Sequence, residues 1–137
     1  MDWTGGCLCG DIRFRASKDP EWVGHCHCTL CRRQTGTAFT TGVDFAANAF
    51  EWTKGKPVYF RDPVGVDRSF CIRCGSNMTW EPSGRDDITV FVGSLDRADD
   101  VHPTCHMFTS TMLPWVKLDD GLPRYPEGDP DLPWYSG

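Results

Sequence analysis

Seven of the eight cysteines fall into three tight groups. These are Cys7-Leu8-Cys9, Cys26-His27-Cys28-Thr29-Leu30-Cys31 and Cys71-Ile72-Arg73-Cys74. Thiolates spaced this densely on short segments can converge on one point, and zinc is the ion that most often occupies such a point. The middle group, C-x-C-x-x-C, supplies only three ligands. A structural zinc is closed by four protein ligands, whereas a catalytic one keeps a position for water or substrate. How the groups combine therefore decides whether the chain can do chemistry or only hold itself together.

Cys7 and Cys9 pair naturally with Cys71 and Cys74 as a closed four-sulfur site. The glycines around them, Gly5-Gly6, Gly10 and Gly75, are read as supplying the positive φ of tight metal knuckles. That leaves Cys26, Cys28 and Cys31 as a second, three-sulfur cluster. The alternative joins Cys26 and Cys28 to Cys71 and Cys74 and strands Cys7 and Cys9; spacing alone leaves both pairings open. Cys105 stands apart. It reads as a small buried hydrophobe, with a fourth ligand for the second zinc or a reactive thiol as the sharper readings. His27 lies between two candidate ligands. His25 and His102 read as surface or core groups, and His106, in an apolar segment, as a core histidine rather than a ligand.

The composition narrows the class. The chain has 137 residues and a net charge of −5, which fits a single domain over 1–137. Its only adjacent basic pair is Arg32-Arg33, so nucleic acid is not an expected partner. No apolar run approaches a membrane span. The N-terminal residues carry neither a basic region nor an apolar stretch, so a cytoplasmic location is expected. In that compartment cysteines stay reduced, which favours metal over disulfides.

The elements that must position these groups are short strands. Period-two alternation marks Asp11–Ala16, and strands are also expected at Trp22-Val23, Ala38–Val43, Phe50–Thr53, Val58–Arg61, Asp67–Phe70, Met78–Trp80, Ile88–Val92 and Met112–Leu118. One helical turn after Cys31, capped by Gly36, is the main helical signal. From about residue 119 to 137 the chain is a Pro-rich tail, with prolines at 123, 126, 130 and 133, expected to be irregular. Closely spaced strands with turn signals between them indicate a mainly β domain.

Taken together, Gly6-Cys7-Leu8-Cys9-Gly10, Cys26-His27-Cys28-Thr29-Leu30-Cys31-Arg32 and Phe70-Cys71-Ile72-Arg73-Cys74-Gly75-Ser76 resemble the glutathione-dependent formaldehyde-activating enzyme family, which includes centromere protein V-like domains. His106-Met107-Phe108, Pro114-Trp115 and Asp119–Pro123 look similar too. The resemblance implies a β-tent fold, two antiparallel sheets around a structural zinc, with few short helical turns. It implies that Cys7, Cys9, Cys71 and Cys74 hold that zinc. It also implies that Cys26, Cys28 and Cys31 hold a second, catalytic zinc with an open position and partial occupancy. The implied activity is a carbon–sulfur lyase acting on S-(hydroxymethyl)glutathione or a related thiol–aldehyde adduct, with glutathione as co-substrate.

For that chemistry an open zinc serves best by binding and activating a thiolate, since three thiolates weaken it as a Lewis acid. Arg32 and Arg33 are candidates to hold the carboxylates of glutathione; the plainer reading is a solvated pair. Two other readings compete with the lyase. One is a non-catalytic zinc module that binds a partner or a small thiol. The other is a thiol redox enzyme like the B-type methionine sulfoxide reductases, with Cys105 as nucleophile, although C-x-C-x-x-C is foreign to that pattern. The oligomeric state is not legible in the sequence.

Overall fold

The structure is a computed structural model and describes residues 2–132; Pro133, counted in the irregular tail, lies outside that range. The protein is mainly β, with two sheets, one short α-helix and a few 3-10 turns. Its backbone packs as two compact units. The first comprises residues up to Trp22 and Val43–Val101, the second Val23–Gly42 and the chain from His102.

In the first unit, β1 (Trp3–Gly6), β2 (Arg13–Ala16) and β5 (Phe50–Lys54) form an antiparallel sheet in the order β1-β2-β5. Phe14 is its anchor. It is fully buried, stacks on Phe50 at 5.2 Å and meets the edge of Trp52 at 6.1 Å. Gly5 lies opposite Phe14 in the ladder. A Cβ on Gly5 would stand 2.3 Å from the Ser94 carbonyl oxygen and 2.5 Å from Phe14 Cζ. Gly5 and Gly6 are therefore strand residues chosen for their lack of a side chain. This corrects the turn expected there: neither has positive φ, whereas Gly10 (φ 83°) and Gly75 (φ 77°) do.

The same unit holds β6 (Val58–Arg61), β7 (Val66–Phe70), β8 (Asn77–Pro82) and β9 (Asp87–Phe91), each antiparallel to the next. The Val43–Ala46 part of β4 (Thr40–Ala46) lies beside β9. Two buried ionic groups sit among these strands. The Arg68 Nε donates to Asp62 Oδ2 at 3.0 Å, both side chains being almost fully buried. Asp44 accepts from Thr89 Oγ1 at 2.6 Å and from Arg85 Nη2 at 3.3 Å, and Arg85 also bonds Asp87. Buried charges of this kind persist only when every partner is in place.

In the second unit, β3 (Trp22–Cys26) is followed by α1 (Thr29–Thr35), which ends at Gly36 in the left-handed conformation. The expected helical turn is thus a full short helix beginning at Thr29. β3 lies between the Thr40–Gly42 part of β4 and β10 (His106–Met107). β10 runs parallel to β3, with His106 opposite His25 and Met107 opposite Cys26. This pair is parallel, whereas antiparallel sheets were expected. Met112–Leu118, expected as a strand, is irregular. Pro114 cannot donate to a ladder, and Val116 N–H instead closes a turn on the Leu113 carbonyl at 3.1 Å. From Asp119 to Leu132 the tail is irregular apart from an isolated bridge between Arg124 and His106. Among the described residues, no helix is long and apolar enough to cross a membrane.

Candidate metal centres

In the first unit, Cys7 and Cys9 lie in the turn after β1, and Cys71 and Cys74 in the turn after β7. Their four Sγ atoms all lie within 4.8 Å of one another. Cys7 and Cys9 are 3.6 Å apart, and Cys9 and Cys71 3.8 Å. A tetrahedral zinc with Zn–S bonds of about 2.3 Å separates its sulfurs by roughly 3.8 Å, so this donor set fits the ion. Of the two pairings left open by spacing, the backbone brings together Cys7 and Cys9 with Cys71 and Cys74.

Local hydrogen bonds prepare these thiols. Ile12 N–H donates to Cys7 Sγ at 3.3 Å. The Ser76 hydroxyl, 3.2 Å from Cys74 Sγ, is the leading cause that draws the Cys74 thiol down to about 5. For Cys9 the Asp11 backbone N–H favours the thiolate, yet desolvation and the neighbouring sulfurs push it up to about 11. Four sulfurs this close cannot all ionise without a cation among them, and a divalent ion removes that conflict. Arg73 clasps the two knuckles across the cluster by donating to Asp11 at 3.2 Å. The apolar tips of the knuckles point to solvent, with Leu8 89% and Ile72 80% exposed.

In the second unit, Cys26 ends β3, Cys28 caps α1 and Cys31 lies in its first turn. Cys28 Sγ accepts from Cys31 N–H at 3.3 Å, so the thiol does the work of a capping oxygen. The three Sγ atoms lie within 4.8 Å of one another, and among the described residues no further His, Cys, Asp or Glu joins that group. The sulfurs of Cys28 and Cys31, then burial, hold the Cys26 thiol well above its ordinary range. The same conflict, with the same remedy, applies here.

Cys105 is buried elsewhere in this unit, its Sγ 3.8 Å from Asp129 Oδ2. Burial, then the Asp129 charge, pushes its thiol up to about 11. That is the setting of a buried small hydrophobe, not of an activated nucleophile. Arg32 and Arg33 follow Cys31 directly on α1. Arg33 is exposed, while Arg32 is half-buried with its Nε buried and lacking a hydrogen-bond partner.

Residues 2–111 match the family model described as glutathione-dependent formaldehyde-activating enzyme. This chain belongs to that family. The match takes in both cysteine clusters and both arginines. A crystal structure of a Rhodobacter sphaeroides protein is similar in fold, with a TM-score of 0.55 and 16% identity over 89% of this chain and 98% of the other. No curated protein matches. The family model stops at residue 111, so the segment that follows, with its cleft of about 460 Å³ lined by Met112, Leu113, Lys117 and Arg124 among others, lies almost wholly beyond it.

A feature missed from the sequence surrounds His27. Its ring is fully buried, and Nε2 lies 2.9 Å from His106 Nδ1. His106 Nε2 in turn lies 2.7 Å from Asp120 Oδ2. The His27 backbone is tied as well: N–H donates to the Met107 carbonyl at 3.0 Å, and the carbonyl accepts from Thr111 Oγ1 at 2.9 Å. The residue between two candidate ligands is thus fixed at side chain and main chain, which holds the segment carrying Cys26 and Cys28 in place. The available signal was the H-C-H-C alternation at 25–28, since period two along a strand sends successive side chains to opposite faces.

Proposed function

We propose that this protein is a zinc-dependent carbon–sulfur lyase of its family, acting on the adduct of glutathione or a related thiol with formaldehyde or a similar aldehyde. The observation that carries the reading is the difference between the clusters. Cys7, Cys9, Cys71 and Cys74 complete a four-sulfur set, while Cys26, Cys28 and Cys31 offer three. Cys26, Cys28 and Cys31 would hold zinc with a position left open, and the ion would lower the pKa of a substrate thiol toward neutral pH. In the adduct-forming direction the substrate sulfur bonds to the carbonyl carbon, the C=O π pair moves to oxygen, and a proton ends on that oxygen as hydroxyl. Cleavage runs the same steps backward.

The chain's own residues bind and orient. Cys28 and Cys31 are set by the start of α1, and His27 anchors the ligand-bearing segment from behind. Arg32, half-buried and directly after Cys31 on α1, is the candidate to take a carboxylate of the thiol substrate through its guanidinium. Arg33, being exposed, contributes at most a screened charge.

The second reading, a non-catalytic zinc module that docks a partner, is favoured by the exposed Leu8 and Ile72. An exchange assay with formaldehyde and glutathione separates the two. The lyase accelerates exchange above the spontaneous rate. Cys28→Ser abolishes that acceleration while the four-cysteine site keeps its zinc. A wild-type protein with both clusters filled and no rate above background would leave the docking module as the function.

A further inference from the structure

A third group of donors in the second unit is unrelated to the cysteines. His25 on β3 and His106 on β10 face each other in register, and paired positions on neighbouring strands present their side chains on one face. Their rings stack at 4.6 Å with 27° between planes. The tail delivers a carboxylate to the same place. His106 N–H donates to the Pro123 carbonyl at 2.9 Å and Tyr125 N–H to the His106 carbonyl at 2.8 Å, which fixes Asp120 beside the rings. One donor atom each from His25, His106 and Asp120 lies within 4.8 Å of the others.

The outer contacts are those that ligating groups need. A metal-bound histidine commonly has its other ring nitrogen hydrogen-bonded, which fixes tautomer and ring orientation. His25 Nδ1 lies 2.7 Å from Thr41 Oγ1, and His106 Nδ1 lies 2.9 Å from His27 Nε2. Asp120 Oδ1 accepts from Leu122 N–H at 3.1 Å, leaving Oδ2 toward His106. His106 is fully buried, whereas the Asp120 side chain is 31% exposed and gives an ion its way in.

We propose that His25 Nε2, His106 Nε2 and Asp120 Oδ2 form a further metal site for a borderline divalent ion such as Zn²⁺. The ion takes the place of the hydrogen between His106 Nε2 and Asp120 Oδ2; His106 then carries its single N–H on Nδ1 and donates it to His27 Nε2, and His27 carries its own on Nδ1. Two imidazoles and one carboxylate leave positions for water and suit zinc, cobalt or nickel rather than a soft monovalent ion. His25 and Cys26 are successive residues of β3, so this site lies on the opposite strand face from the Cys26 thiol.

The site stands apart from the lyase reading, and its test does too. Protein with its cysteine clusters filled is titrated with Zn²⁺ and then, separately, with Co²⁺, and bound metal is counted. A further equivalent binds beyond those held by cysteine, and with Co²⁺ it adds visible bands without new thiolate charge-transfer absorption. Asp120→Asn and His25→Gln each weaken that equivalent about tenfold or more, while the cysteine-bound metal and the thermal midpoint persist as proof of folding. Saturation at the cysteine sites alone, or a further equivalent indifferent to both substitutions, would overturn the proposal. A vacant three-cysteine cluster would refute the lyase reading and leave this comparison intact.

Discussion

Among single residues, Arg32 bears on the proposed substrate site and Asp44 on the pH dependence of the fold. Arg32 follows Cys31 directly on α1 and is half-buried, and a charge-assisted bond to a carboxylate is worth about 1.5–3 kcal/mol. Arg32→Ala is therefore expected to raise KM for glutathione roughly tenfold or more with little change in kcat, in steady-state exchange kinetics; an unchanged KM would remove Arg32 from the substrate site. Asp44 gives a pH signature of the fold. Burial, opposed by the Thr89 hydroxyl and reinforced by the Asp87 charge, raises its carboxyl from 3.8 to about 7. Folded protein therefore holds this proton more tightly than unfolded chain. The stabilisation is complete below about pH 4 and is lost as pH rises through about 7. Asp44→Asn should flatten this part of the stability–pH profile in denaturant titrations from pH 4 to 8.

At the scale of elements, strand β1 is the clearest case of a constraint hidden in the sequence. A glycine pair reads as a turn because glycine tolerates any φ, and its second use, making room, depends on a partner far along the chain. Here the partners are Phe14 and the Ser94 carbonyl. Gly5→Ala forces a contact with backbone as well as with a packed ring. A loss of about 1–3 kcal/mol is expected, measured by chemical denaturation. The strands from β5 to β9 were legible because alternation and turn residues are local signals. β10 was not, since two residues joined in parallel to β3 leave no periodicity to read. Met112–Leu118 has strand-like composition, but Pro114 denies it a ladder. The cysteine clusters were legible from spacing, because knuckles are built from adjacent residues. The group of His25, His106 and Asp120 was not, because it is assembled only when β10 and the tail come to β3.

At the scale of the whole molecule, metal is expected to be part of the folding energy. A structural zinc contributes on the order of 10 kcal/mol, comparable to the entire stability of a domain of this size. Stripping the four-cysteine site with a strong chelator should therefore abolish the cooperative thermal transition seen by circular dichroism, whereas Cys28→Ser should leave it largely in place. On the proposed function, one cluster is closed and structural and the other open and catalytic. The most direct test follows fold and exchange activity together as zinc is returned to metal-free, reduced protein. The first equivalent is predicted to restore the folded state without activity, and the second to restore formaldehyde–glutathione exchange in proportion to zinc bound at Cys26, Cys28 and Cys31. Activity that appears in full with the first equivalent, or that survives Cys28→Ser, would contradict it.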